Sequence, residues 1–172
     1  MKKVITLLFL VSFSLTQAQQ AFTGKGDVRV NIGANIQDGG SGIQGSVDFG
    51  LGENFSFGLV SSYLLSVNGY TQFYDNAYHE QKPDFSDRFD AKARINANLS
   101  SVIGVKELDI YPGLSLGLKN FGGHVGGRYF FTDGFGVFTE IGFPIAKYST
   151  DREMFENLNN QATFSLGASF NL

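Results

Sequence analysis

The sequence predicts an all-β fold, a closed eight-stranded antiparallel up-and-down transmembrane β-barrel preceded by a cleaved signal peptide. Three observations predict it. Eight segments alternate apolar and polar residues with a period of two, the signature of strands with one apolar face. Beyond the N-terminal region no run of about 18 apolar residues exists, so any membrane span must be built of strands. Gly 22 and Phe 18 against Pro 3 suit strands and tight turns and make poor material for a helical domain.

Lys2 and Lys3, the apolar run from Val4 to Leu15 and the small-residue site Thr16-Gln17-Ala18 read as a secretory signal cleaved after Ala18. Residues 19–172 then form one barrel domain. With Cys 0 there is no disulfide framework, no thiolate metal site and no lipidated cysteine. A formal charge of −3 without a basic cluster argues against nucleic acid as a partner.

The first strand sets Val28, Val30, Ile32, Ala34 and Ile36 against Asp27, Arg29, Asn31, Gly33 and Asn35. Asp38 to Gly42 turns the chain into a second strand, in which Ile43, Val47, Phe49 and Leu51 oppose Gln44, Ser46 and Asp48. After Gly52-Glu53-Asn54 a third strand places Phe55, Phe57, Leu59, Tyr63 and Leu65 against Ser56, Gly58, Val60 and Ser62. A long polar excursion, Asn68 to Asp87, precedes the sharpest alternation, Phe89 to Leu99 against Asp90, Lys92, Arg94, Asn96 and Asn98.

The connection Ser101 to Glu107 leads into a fifth strand, where Ile110, Leu114, Leu116 and Leu118 oppose Asp109, Gly113, Ser115, Gly117 and Lys119. Pro112 cannot donate to a ladder, so a bulge or a late strand start is expected there. A turn is expected at Asn120 to Gly123. The sixth strand, His124 to Phe131, reaches the tight turn Thr132-Asp133-Gly134. The seventh, Phe135 to Ala146, and the eighth, Ala162 to Leu172, flank a polar loop from Lys147 to Asn160.

Period alone does not say which face is inside. The polar faces are rich in Gly and Ser, which suit the cramped interior of an eight-stranded barrel. The apolar faces run without charge over the length a spanning strand needs. Short connections at one end and long ones at the other follow the pattern of outer-membrane barrels, with Asp38 to Gly42 and Ser101 to Glu107 as exceptions. The expected lipid-facing set therefore includes Val28, Ile32, Phe49, Phe57, Ile95, Leu116, Phe143 and Phe164. Arg29, Asp48, Asp90, Lys92, Arg94, Asp109, Arg128 and Glu140 are then enclosed and should pair in an interior network. Tyr63, Tyr129, Phe131, Phe143 and Tyr148 suit the aromatic girdles, in a chain with Trp 0.

The run Gly127-Arg128-Tyr129-Phe130-Phe131-Thr132-Asp133-Gly134-Phe135-Gly136-Val137-Phe138-Thr139-Glu140 resembles the penultimate hairpin of OmpX-like and opacity-type outer-membrane barrels, as does the ending Phe164-Ser165-Leu166-Gly167-Ala168-Ser169-Phe170. Most of residues 19–172 is similar to an uncharacterised family of small outer-membrane barrels, through Gly24-Lys25-Gly26-Asp27-Val28, Val47-Asp48-Phe49-Gly50-Leu51-Gly52-Glu53-Asn54, Asp87-Arg88-Phe89-Asp90-Ala91-Lys92 and Tyr111-Pro112-Gly113-Leu114. The resemblance implies an outer-membrane location in a Gram-negative cell and contact with the insertion machinery during assembly. Such barrels end in an aromatic residue, whereas here the last is Leu172 and the nearest aromatic is Phe170.

The sequence offers little chemistry. His124 and Glu140 form an imaginable hydrolase pair, but no Gly-x-Ser-x-Gly elbow supplies a nucleophile. His79 and Glu80 have no further metal ligands at suitable spacing. The expectation is a monomeric barrel without catalysis, metal or cofactor, with a plugged polar interior. The long loops would be available to an extracellular partner, and Tyr70, Phe73, Tyr74 and Tyr78 are suited to contact or to the headgroup zone. Two alternatives stand beside it: a transport or binding barrel for a small apolar ligand, lined by Val60, Leu64, Phe130 and Phe138, and a soluble secreted lipocalin-like carrier.

Overall fold

The computed structural model describes residues 20–148 and 155–172. The strands are β1 (Val28–Gln37), β2 (Gly40–Gly50), β3 (Phe55–Val67), β4 (Tyr70–Tyr74), β5 (Ala77–Gln81), β6 (Phe89–Ala97), β7 (Leu108–Gly117), β8 (Asn120–Phe130), β9 (Phe135–Lys147) and β10 (Thr163–Asn171). Two single-turn helices, α1 (Phe85–Arg88) and α2 (Ser100–Ile103), lie in connections. The proposed signal segment, Met1 to Ala18, lies outside the described residues.

Eight strands close into a barrel in the order β1-β10-β9-β8-β7-β6-β3-β2, each antiparallel to its neighbours. Closure is made by β1 and β10, from Arg29 opposite Asn171 to Gln37 opposite Thr163. Closure leaves the sheet without an edge strand. Among the described residues no helix is long and apolar enough to cross a membrane.

The connections differ from expectation in instructive ways. The excursion Asn68 to Asp87 is structured: β4 and β5 form a separate two-stranded hairpin, and α1 follows. Its turn residues Asp75 and Asn76 both have positive φ, 51° and 58°, the geometry that matches strand twist in a two-residue hairpin. The fourth barrel strand stops at Ala97, and the segment from Ser100 coils into α2, ended by left-handed Gly104. The expected turn at Asn120 to Gly123 is strand, because β8 starts at Asn120; the chain reverses at Leu118 and Lys119, and a register shift between Phe121 and Gly122 absorbs the extra residue.

Pro112 marks neither a bulge nor the start of its strand. It sits within β7 opposite Val125 of β8, while pairing with β6 covers only Gly113–Gly117. Ile110, which shares its parity, accepts from the Leu99 N–H on the β6 side, so the proline nitrogen faces the stretch where that ladder has lapsed.

The barrel has its polar groups inside. Along β1, Arg29, Asn31, Asn35 and Gln37 are buried while Ile32 and Ile36 are exposed; along β9, Gly136, Phe138 and Glu140 are buried while Val137, Ile141 and Phe143 are exposed. Both ends are stoppered. At the end where β1 begins and β10 finishes, the terminal end, Ala21 and Phe22 are buried, and Ala21 N–H donates to Lys106 O at 2.5 Å. At the opposite, loop end, residues 155–161 fold inward. There Phe155 and Leu158 pack on Leu64 in a small apolar cluster, and Asn159 and Asn160 are buried.

Candidate functional site

The expected interior charges fall into three groups. The central one is built on Asp48 of β2. Arg94 of β6 grips its carboxylate in bidentate fashion, with Nε to Oδ1 and Nη2 to Oδ2 both at 2.7 Å, and Arg128 of β8 donates to Oδ2 from the other side. Arg94 Nη1 also reaches Glu140 of β9 at 2.7 Å. Two cations and two anions thus meet within one enclosed layer, where each is buried and none could be left alone cheaply. Tyr111 of β7, fully buried, slides its ring under both guanidinium groups, 4.0 Å from Arg128 Cζ and 5.8 Å from Arg94 Cζ.

Nearer the terminal end, Arg29 pairs with Asp27 at 2.8 Å, donates to the carbonyls of Gln20 and Ala21, and lies over the Phe130 ring. The arginine therefore fastens the N-terminal stopper to the barrel wall. Asp109, expected in a charge network, forms no salt bridge among the described residues: it accepts from Asn98 Nδ2 at 2.7 Å and from the Leu99 N–H at 3.1 Å. Toward the loop end, Lys92 stands 3.4 Å from Asp90 and donates to Asn120 Oδ1 at 3.1 Å.

Small residues make room for these side chains. Gly58 faces Asp48 across the β2–β3 ladder, and Gly126 faces Tyr111 across β7–β8; a methyl group on either would intrude on its partner, at 2.1 and 2.2 Å. Asn and Ser side chains fill the gaps between charges. Asn31 bridges Ser46 and Ser169, Asn35 reaches Gln44 and Ser165, and Asn96 ties Asp48 to Ser56. Sequence reading did not single out this amide ladder, although its parity with the charged residues was there to be read. Asp27 was likewise overlooked as the partner of Arg29, two residues away on the same face.

His124 shares this interior. Its Nε2 lies 2.7 Å from Asn96 Oδ1, which engages the ring nitrogen a base would need free. A chamber of about 40 Å³ lies between the central ion group and the loop-end stopper, lined by Asn35, Asp90, Lys92, His124, Glu140 and Asn159 among others. Val60, Leu64, Phe130 and Phe138 do not form one apolar lining. Leu64 lies near the loop end under the stopper, and Phe130 lies at the terminal end of β8, so the interior separates them.

The stopper is held by polar contacts. Asn159 adopts φ 59°, accepts from Asn120 Nδ2 through its carbonyl at 2.9 Å, and donates through Nδ2 to Arg88 O at 2.9 Å. Its N–H donates to Gln37 Oε1, and Lys119 Nζ donates to Leu158 O at 3.2 Å and to Asp87 O at 2.5 Å. Residues 149–154 of the expected Lys147 to Asn160 loop lie outside the described residues.

On the outer surface Ile32, Phe49, Phe57, Ile95, Leu116, Phe143 and Phe164 are all exposed, and Val28 is half-buried at the terminal rim. Aromatic rings gather at the two rims. Tyr63, Phe85 and Phe89 pack in series at the loop end, with centroids 5.4 Å apart at each step; Tyr129, Phe131, Phe135 and Phe170 do so at the terminal end. Exposed Phe73 and Tyr78 face each other across the β4–β5 hairpin with rings 5.0 Å apart, and Tyr70 and Tyr74 occupy register positions opposite Gln81 and Ala77.

Residues 11–172 match the model of a family described as "Family of unknown function (DUF6646)". The chain belongs to this family. The match spans all of the barrel strands, so the family is defined by the barrel as a whole rather than by a motif grafted on it. Among curated proteins no match is found. The DUF6646 barrel therefore has to be read from its own geometry.

Proposed function

We propose that this DUF6646 chain is an outer-membrane β-barrel whose role is structural or one of surface interaction through its extracellular loops. The observation that carries the reading is the inverted distribution of polarity. A barrel in water would place Ile32, Leu59, Ile95, Leu116 and Val125 inside, yet all of these are exposed, while Arg29, Arg94 and Arg128 are almost completely enclosed. Exposing so many large apolar side chains in one continuous belt is costly in water and favourable in hydrocarbon.

Further features support it. Barrel strands of 9 to 13 residues have the length that tilted membrane strands require. Aromatic series at both rims correspond to girdles at the two interfaces, with aliphatic residues between them. The basic and apolar N-terminal segment of the sequence is suited to export. An interior chamber of about 40 Å³ is far below the roughly 300 Å³ at which ligand pockets begin, so the loops and the outer surface, rather than the lumen, are left as the interacting parts.

Cell fractionation tests the reading. The chain should sediment with outer membranes, resist extraction by alkaline carbonate and migrate differently on a gel when folded and when boiled. Recovery of the folded protein from the periplasm without detergent would overturn it in favour of a soluble carrier.

A further inference from the structure

The chamber between the central ion group and the loop-end stopper has an unmet hydrogen-bond demand of one sign. Asp90 is 1 % exposed, and no protein donor meets either of its carboxylate oxygens with good hydrogen-bond geometry, Lys92 and the Ala91 N–H being its nearest donors; Asn35 Oδ1, another buried acceptor of the same lining, has no partner. Lys92 is the nearest cation to Asp90, but its ammonium is turned to Asn120 Oδ1 at 3.1 Å and stays 3.4 Å from the carboxylate. Buried polar groups are almost always satisfied, and here the unsatisfied atoms are all acceptors. Whatever occupies the chamber must donate.

Charge narrows the class further. Asp90 is offset by Lys92 and Glu140 by Arg94, so the walls carry no surplus negative charge that would hold a bare cation. A neutral donor fits better. A water molecule needs roughly 10–15 Å³ of such space and two to four polar partners, so a volume of about 40 Å³ suits about three of them. Ser62, Ser115 and Thr163 hydroxyls in the same lining offer the additional partners.

We propose that this chamber is a built site for a cluster of about three ordered water molecules. They donate to both Asp90 oxygens and to Asn35 Oδ1, and they link the Asp90–Lys92 pair through hydrogen bonds to the Glu140–Arg94 pair. The cluster lies between Asn159 of the stopper and the guanidinium layer. This inference rests on the barrel interior alone and holds whether or not the outer face meets lipid.

A high-resolution crystal structure of the folded chain, grown in rubidium chloride, tests it. The expected result is about three solvent peaks at hydrogen-bond distance from Asp90 and Asn35 without anomalous signal. A rubidium peak beside Asp90 would overturn the proposal in favour of a cation site, and direct contact of Lys92 with Asp90 across a chamber without solvent density would overturn it in favour of a dry ion pair. In solution, cross-relaxation between long-lived water and the amide protons of residues 35 and 90 should be present in the native protein. It should persist in Thr163→Val, which removes one lining hydroxyl, and vanish in Asn35→Leu, which fills the space. Absence from the native protein would count against the proposal even if a variant failed to fold.

Discussion

Gly58 stands directly opposite Asp48 in the β2–β3 ladder, and a Cβ placed on it would lie 2.1 Å from the Asp48 carboxylate and 2.6 Å from the Val47 carbonyl. The charge cluster can form because the wall beside it has no side chain. Gly58→Ala should therefore displace Asp48 from the bidentate grip of Arg94 and destabilise the barrel by about 1–3 kcal/mol, the usual range for overpacking. Urea unfolding of the lipid- or detergent-refolded protein, followed by gel mobility, would read the loss.

Two neighbouring glycines make a sharper comparison. A methyl group at Gly126 would lie 2.2 Å from the Tyr111 ring, whereas one at Gly127 would meet nothing within 4 Å. Gly126→Ala should lower the unfolding free energy by about 1–3 kcal/mol, and Gly127→Ala should leave it within about 0.5 kcal/mol of the native value. Equal effects would mean that the tyrosine beneath the two arginines is not held as tightly as its burial indicates.

Among the described residues Asp48 is the one carboxylate shared by two guanidinium groups. Asp48→Asn keeps the shape and removes the charge both arginines require, so a loss of about 3–5 kcal/mol is expected, the cost of leaving buried charge uncompensated. Glu140→Gln should cost less, because Arg94 retains Asp48. The difference between the two midpoints in the same unfolding assay checks the ranking.

Much of the barrel was legible because a period of two is unambiguous once a strand is long: β1, β6 and β10 announce both faces residue by residue. The membership of the interior followed from the same parity, so Asp48, Arg94, Arg128 and Glu140 could be assigned to one face before any partner was known. Partnership was not legible. Register across eight strands decides that Arg94 meets Asp48 and that Asp109 meets an asparagine, and register is a property of pairs of strands. The rims were the least legible part. Residues 155–161 read as a polar loop because their anchors, Gln37, Arg88 and Lys119, lie far away in sequence; Gln37 and Lys119 bind backbone groups that every residue has, and Arg88 offers only its carbonyl, to the Asn159 amide.

Lys119 gives the loop-end stopper a pH dependence. Burial pushes its ammonium below the usual 10.5, with Asp90 and Asp87 opposing the shift. A lysine with a lowered folded-state pKa carries a penalty at any pH where it is charged in both states, and the penalty is relieved as pH rises through the folded pKa toward the unfolded one. The neutral amine still has two hydrogens, enough for its two carbonyl partners, Asp87 O and Leu158 O. The stopper should therefore dock more firmly as pH rises from neutral toward 10.5. Resistance of the segment around residue 155 to a broad-specificity protease should increase over that window, and Lys119→Met should flatten the change while lowering resistance at every pH.

The outer face separates the membrane reading from a soluble one through depth. Leu59 lies near the middle of β3, between Phe55 at one rim and Tyr63 at the other, and is exposed; Leu51 lies beyond β2 at the terminal end and is exposed as well. In a bilayer, Leu59→Lys should cost about 2–4 kcal/mol and Leu51→Lys no more than about 1, since the penalty for a lysine fades toward the interface. In water neither lysine would be buried, and both substitutions should change stability by less than about 0.5 kcal/mol. Unfolding in lipid vesicles should thus show two unequal losses ordered by depth. Equal and small effects in vesicles would mean that the belt holding Leu59 does not face acyl chains, and the greasy exterior would need another cover.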